Sequence, residues 1–218
     1  MIRHPAHPST QQGAALAVIL IFLLVMAIAV FSGLTQLNEH QRAAALAMDH
    51  TRAMAQAQAL LIDAERDLAL ARRRPPLNWP LDAPARTQLQ HQLQVASGRS
   101  CAQGICVPAS ATSLDPEHWR NLQTDTAFWR TGARLGQYSG TPVDVGDVDR
   151  ARYWIEILPL EPTTPGQLTP FVYRITAVSL GQQDGTRVVL QSMVVIEAQP
   201  NSAGGQSTRR LAWREVWS

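Results

Sequence analysis

The chain has 218 residues, a length that suits one membrane anchor and one modest soluble domain. Its net charge is +2, and all 19 basic residues are arginines scattered along the sequence, so no basic stripe indicates a nucleic-acid partner. The six histidines form no cluster, and no phosphate-binding loop or Ser/His/Asp arrangement of motif quality is present. We therefore expect no enzyme, no metal site, no cofactor and no small-molecule substrate.

The N-terminal part of the chain predicts a membrane helix. A polar segment, 1–13, is followed by the uncharged apolar run Ala14–Leu34. A helix of roughly twenty such residues spans the hydrocarbon core of a bilayer. An ordinary secretory signal has a shorter apolar core with its small residue behind that core, whereas here Gly13 precedes it. We place the transmembrane segment at 14–37.

The helical pattern continues through 38–74, which contains no proline and no glycine and is rich in alanine. Apolar residues at helical spacing form a stripe, and charged residues such as Asp63 and Asp67 are read as lying off it on a charged, solvated face. Pro75-Pro76 forbids continuation, so we predict one helix of about 60 residues. The stripe comprises Ala43, Ala47, Met54, Ala57, Leu61, Ala64 and Leu68.

The middle of the chain, 75–150, is interrupted by prolines and reads as an irregular connection. Two short helices are expected in it. One covers Ala85–Val95, and the other begins with Asp115 as its N-cap and Pro116 as its first helical residue.

The last part, 151–218, changes to the pattern of strands. Tyr153–Leu158, Phe171–Ser179 and Thr186–Glu197 are rich in β-branched and aromatic residues, and Gly181–Gly185 reads as a hairpin turn. Arg210–Trp217 alternates and is expected to be a fourth strand. The prediction is an α+β fold in which the long helix packs on an antiparallel sheet of three or four strands.

Cys101 and Cys106 are the only cysteines. If the domain lies outside the cytoplasm, the simplest expectation is a local disulfide. A metal site would need further ligands, and neither His91 nor His118 stands in a ligand-like motif. The CxxC spacing of redox motifs is absent.

These features together resemble a type IV pilin or pseudopilin, and within that class a minor pilin of the PilX family. Both ends of the chain carry the likeness, and the middle carries it poorly. The similar segments are Gly13 ahead of its apolar span, Gln56–Leu68, Cys101–Cys106, Tyr173–Ala177 with Val188–Ser192, and Leu211–Glu215.

The resemblance implies specific processing and assembly steps. Prepilin peptidase would cut after Gly13, and Ala14, where a phenylalanine is usual, would become an N-methylated mature N-terminus. Val18 stands where major pilins carry the glutamate that pairs with a neighbour's amine, which argues against a major repeating subunit. The N-terminus would be cytoplasmic and the C-terminal domain periplasmic, held in the inner membrane. The implied partners are other minor pilins and pilus assembly proteins, in a complex that primes assembly or lies at the tip.

Two other functions are compatible with the same residues. The nearest is a type II secretion minor pseudopilin, which neighbouring genes would distinguish. The other, from a different class, is a bitopic membrane sensor or binding protein, which would keep its leader and hold a ligand pocket in its periplasmic domain.

Overall fold

The computed structural model describes residues 12–70, 79–80, 82–97, 100–108, 125–142, 148–160, 171–198 and 206–216. Helix α1 covers Gln12–Leu70, α2 covers Ala83–Ser97 and the short α3 covers Thr126–Trp129. The strands are β1 (Cys101–Ala102), β2 (Ile105–Cys106), β3 (Ala151–Pro159), β4 (Phe171–Leu180), β5 (Arg187–Ala198) and β6 (Gln206–Glu215). A 3₁₀ turn, Val148–Arg150, precedes β3.

The long helix is confirmed, with 59 residues in one α-helix. It contributes to two compact units of the chain, 1–47 and 48–218. In the first unit the side chains from Ala15 onward are exposed, including every large apolar residue of the predicted span. Among the described residues, α1 is the one helix long and apolar enough to cross a membrane.

In the second unit, α1 buries an alanine-rich stripe against the sheet. The alanines and leucines of this stripe belong to the same core cluster as apolar residues of β3, β4 and β5. The buried stripe residues are Ala53, Ala57, Leu60, Leu61, Ala64 and Leu68. The end of the predicted helix at Arg72–Arg74 and Pro75-Pro76 lies outside the described residues, as does the predicted helix start at Asp115.

The α+β fold is confirmed, but the sheet has six strands rather than three or four, in the order β1-β2-β3-β4-β5-β6. The four long strands are antiparallel meander neighbours, and β3 pairs with β4 from Ala151↔Ser179 to Pro159↔Phe171. The two additional strands are two residues each, and β2 runs parallel to β3. Strands this short have no periodicity from which a sequence could reveal them.

The sheet is buried on both faces over most of β3, β4 and β5. Tyr153, Ile155 and Tyr173 belong to the core cluster that includes the α1 stripe and Leu89 and Leu93 of α2. On the opposite face, Trp154 stacks on Phe128 of α3, with ring centroids 5.3 Å apart. Both faces therefore require apolar residues, which is why these strands read as nearly continuous apolar runs.

One charged pair lies within this buried sheet. Glu156 of β3 and Arg174 of β4 are register partners, and Arg174 donates from Nε and Nη2 to the two carboxylate oxygens at 2.6 and 2.7 Å. Glu156 is fully buried, and the Arg174 side chain is 10% exposed. Because both charges have left water, each depends on the other for its solvation.

We predict that Glu156→Gln lowers the free energy of unfolding by about 3–5 kcal/mol, because it leaves the buried Arg174 charge uncompensated. The measurement is denaturant unfolding of the full chain in detergent micelles, followed by tryptophan fluorescence. The matched control is Glu197→Gln, which breaks the exposed Arg209–Glu197 pair, also 2.6 Å long. The control substitution should lower the free energy of unfolding by less than about 1 kcal/mol. Equal losses for the two variants would contradict the role given to burial.

Candidate functional site

The residues predicted for processing and assembly all lie at the start of α1. Gly13 and Ala14 follow its first residue, Gln12, and Val18 lies about one turn further along. Val18 is 66% exposed, in an uncharged stretch that extends to Glu39. The helix therefore presents a continuous apolar surface at this end, as packing within a bilayer requires.

The packing of the second half of α1 on the sheet was expected, but the polar side chains that hydrogen-bond across this contact were not. Asp49, Gln56 and Asp63 are seven residues apart, and Asp67 follows four residues later. Spacings of seven and four place these side chains along one side of a helix. We call these four residues the polar row. All four hydrogen-bond to groups of the sheet or its connecting loops.

Asp49 holds the turn between β4 and β5. Its carboxylate oxygens accept the backbone N–H groups of Gln182 and Gln183 at 2.8 and 2.9 Å. These two amides, Gln183 foremost, hold the pKa of the Asp49 carboxyl below its ordinary value. Gly181 lies so close that a Cβ there would collide with the Asp49 carboxylate. The turn and the helix are thus fitted to each other.

The remaining members of the polar row contact three other parts of the domain. Gln56 Oε1 accepts the Ser179 hydroxyl of β4 at 2.9 Å. Asp63 accepts the backbone N–H of Gly136 at 2.8 Å and the Ser139 hydroxyl. Asp67 Oδ2 accepts the Tyr153 hydroxyl of β3 at 2.9 Å.

The charged, solvated face expected for Asp63 and Asp67 is therefore wrong. Their side chains are buried, at 2% and 0% exposed. The physical reason is that the sheet and the 131–142 segment offer hydrogen-bond donors where the helix surface turns toward them. A buried carboxylate with such donors is solvated by the protein in place of water.

On the opposite side of the buried stripe, α1 contacts β6. Arg210 donates from Nε and Nη2 to the Glu65 carboxylate at 2.7 and 2.9 Å, and Ser192 donates to the same carboxylate at 3.1 Å. The hydrogen bonding of the Arg210 guanidinium to the Glu65 carboxylate raises the pKa of Arg210 above its ordinary value. His50 lies 3.9 Å from Glu215 at the end of β6. The helix is thus fixed to the sheet along both sides.

Cys101 and Cys106 form a disulfide that closes the β1–β2 hairpin. The hairpin turns at Gln103-Gly104, where Gly104 has φ +75° and a Cβ would lie 2.5 Å from that of Ala133. Ile155 donates its N–H to the Gly104 carbonyl at 2.7 Å, which fixes the hairpin on β3. The two cysteines and the processing residues belong to different compact units. Within the described part of the chain, no three metal-binding side chains converge.

We predict that the stabilisation contributed by Asp49 depends on pH. Its pKa is lower in the folded chain than in the unfolded chain, so its ionised form stabilises the fold at neutral pH. That contribution is lost as the pH falls through the folded-state pKa. The difference in unfolding free energy between wild type and Asp49→Asn should be largest at neutral pH and should close under acid conditions. Asp184→Asn, in the same turn, is the control and should show a small gap at every pH. If the difference in unfolding free energy between wild type and Asp49→Asn did not change with pH, this role for Asp49 would be excluded.

We also predict that reducing the disulfide lowers the free energy of unfolding by about 2 kcal/mol, the loop-entropy value for so short a loop. Unfolding of the wild-type chain is measured with and without dithiothreitol. The double variant C101A/C106A is the control and should not respond to the reductant. A similar response from that variant would show that the reductant acts elsewhere.

Comparison with known proteins gives one match. The family model described as "Type IV pilus assembly protein PilX C-term" matches residues 89–196, about half of the chain. The match extends from α2 to β5 and leaves α1 and β6 outside it. No curated protein and no solved structure matches the chain significantly. The match confirms the resemblance to the PilX family but differs in position: it includes most of the middle of the chain, where the resemblance is poor, and excludes Gly13, Gln56–Leu68 and Leu211–Glu215. The chain therefore belongs to the PilX family of type IV pilus assembly proteins.

Proposed function

We propose that this protein is a minor pilin that is inserted in the inner membrane and takes part in priming pilus assembly, in a complex at or near the tip. One observation carries the proposal. A helix with an uncharged apolar first half continues without interruption into a second half that is built into the domain matched to the PilX family. The role is structural, and it requires no catalysis, cofactor or small-molecule substrate.

The proposed processing rests on the order of residues at the start of α1. Prepilin peptidase cuts after Gly13, and Ala14 becomes the N-methylated N-terminus of the mature chain. The apolar helix then remains attached to the domain. This order distinguishes a prepilin from a secretory precursor, whose apolar segment is removed.

The proposed location has the N-terminus in the cytoplasm and residues beyond the span in the periplasm. The Cys101–Cys106 disulfide supports this side of the membrane, because disulfides persist in the oxidising periplasm and are rare in the cytosol. The helix surface within the bilayer contains small residues, among them Ala17, Ala27 and Gly33, that permit close approach of partner helices.

Val18 indicates what kind of pilin subunit this is. An ionised carboxylate within a bilayer costs roughly 2.5–3.5 kcal/mol on insertion scales, so a subunit retains one there only for a purpose. Val18 offers no charge to a neighbour's N-terminal amine. We infer that the chain enters the assembly in few copies, through helix packing with other minor pilins, instead of repeating along the filament.

The test is the mass of the intact chain isolated from membranes of strains with and without the prepilin peptidase. With the peptidase, the chain should begin at methylated Ala14, and without it at Met1. Gly13→Val should block the cut because a branched side chain replaces the glycine at the cleavage site. The matched control is Gly33→Val on the same helix, where a Cβ meets nothing within 4 Å. That variant should be processed as wild type.

The same strains test the assembly role. Cells that carry Gly13→Val as their only copy should have fewer surface pili than cells that carry the wild-type chain. An N-terminus at Met1 with and without the peptidase would exclude prepilin processing. If the wild-type chain were processed normally but a strain that lacks the chain had as many surface pili as wild type, the assembly role would be excluded.

A further inference from the structure

We propose that β6 is a docking edge for an extended segment of a partner protein that alternates apolar and acidic side chains. Strand β6 is the outermost strand of the sheet and pairs only with β5. Its 10 residues therefore have one side whose backbone N–H and C=O groups have no partner strand among the described residues. An added strand satisfies such groups directly, whereas a docked helix would leave them unpaired.

The β6 edge carries two large apolar side chains. Trp213 is 56% exposed and Leu211 is 47% exposed. Trp213 is the register partner of Ser192, whose hydroxyl donates to Glu65 of α1, so Trp213 lies on the face of the sheet that α1 covers. Leu211 lies at the register shift, where strict alternation of side chains is interrupted. Sheet edges are usually protected by charges, prolines or bulges, and a half-exposed tryptophan is typical of binding surfaces. The register shift at Met193/Val194 makes Leu211 the extra residue of a β-bulge, and pairing with β5 is regular again from Ala212 to Glu215, which is the part of the edge proposed to receive a strand.

Contacts between β6 and α1 locate the apolar pair on the domain. Arg210 is bound to Glu65, and Glu215 lies beside His50, so Trp213 lies level with the α1 turns between residues 50 and 65. Glu65 accepts hydrogen bonds from both Arg210 and Ser192, the register partner of Trp213, so Trp213 lies on the α1 face near the edge of the sheet. An apolar side chain from an added strand would cover this face.

The other face of the β6 edge is cationic. A cleft of about 250 Å³ is lined by Arg174, Gln191, Met193, Ala212, Trp213 and Arg214. Glu156 already neutralises Arg174, Glu197 pairs with Arg209, and Glu65 pairs with Arg210. Arg214 donates to Gln191 at 3.1 Å and has no carboxylate partner within the described residues. The charge available to a ligand is therefore one guanidinium, which suits one carboxylate rather than a row of phosphates.

Geometry thus sets the pattern of the occupant. Successive side chains of a strand point to opposite faces. Trp213 and Arg214 pair with Ser192 and Gln191 and lie on opposite faces. A strand added to β6 would therefore direct apolar side chains toward Trp213 and carboxylates toward Arg214. Strand β6 itself lies outside the matched PilX region, and the proposal does not depend on the role in pilus assembly.

The experiment uses the full chain in detergent micelles and a fluorescein-labelled probe, Thr-Val-Glu-Val-Thr-Val-Glu-Val-Thr, with empty micelles as the blank. Fluorescence anisotropy should show saturable binding. Trp213→Ala should weaken it at least tenfold. Arg214→Glu should weaken it as well, and should favour the same peptide with lysines in place of its glutamates. A probe methylated on alternate backbone nitrogens keeps its side chains but cannot pair with β6, so it should not bind.

The matched controls are Val95→Ala, which removes a 75% exposed apolar side chain on α2, and Arg130→Glu, which reverses an exposed charge near α3. Both should bind the probe as wild type does, and all variants should retain the wild-type unfolding midpoint. No binding, equal binding of the methylated probe, or equal losses in the controls would overturn the proposal. Two further results would overturn the proposal, because each would show that the edge already has another occupant. One is slow hydrogen exchange of the backbone amides along all of β6 in the absence of the probe. The other is self-association of the chain that Trp213→Ala abolishes.

Discussion

The polar row, Asp49, Gln56, Asp63 and Asp67, fixes where the sheet lies along α1. Apolar burial alone does not do this, because the hydrophobic effect has no direction and the alanine-rich stripe nearly repeats every two turns. A shift of one repeat would still bury alanines and leucines. It would also move Asp49 away from the amides of Gln182 and Gln183. Each buried carboxylate without its donors would cost more than the apolar contact recovers.

The same constraint explains how one helix serves two environments. Between Ala15 and Leu37 the helix satisfies its own backbone and exposes its apolar side chains, as a bilayer requires. From Asp49 onward it is flanked by side chains that need specific partners, the polar row on one side and Glu65 on the other. In the proposed role, the first half would pack against partner helices in the bilayer, while the second half accepts one sheet in one position.

Periodicity and composition were sufficient to predict the long helix, the four long strands and the α+β fold. They were insufficient for the polar row. The seven-residue spacing of Asp49, Gln56 and Asp63 is visible in the sequence, but Asp63 looks like any solvated helix residue until Gly136 and Ser139 approach it from more than 70 positions away. The Glu156–Arg174 pair was missed for a similar reason. Only the cross-strand register, set by the whole meander, shows that the two charges meet.

The two edges of the sheet are treated differently, and this difference bears on how the domain meets partners. At one edge, the β1–β2 hairpin is closed by a disulfide, and Ser97 of α2 donates its hydroxyl to the Cys101 carbonyl at 2.9 Å. Arg86 of α2 adds hydrogen bonds to the carbonyls of Ile157 and Pro108 at 3.1 and 2.8 Å. At the other edge, β6 has ion pairs to α1 and β5 that stiffen it, while its apolar pair, Leu211 and Trp213, stays accessible. A strand that is held rigid before it binds loses less conformational entropy on docking. The ion pairs that hold β6 on its own domain would therefore also prepare it to receive a strand from another.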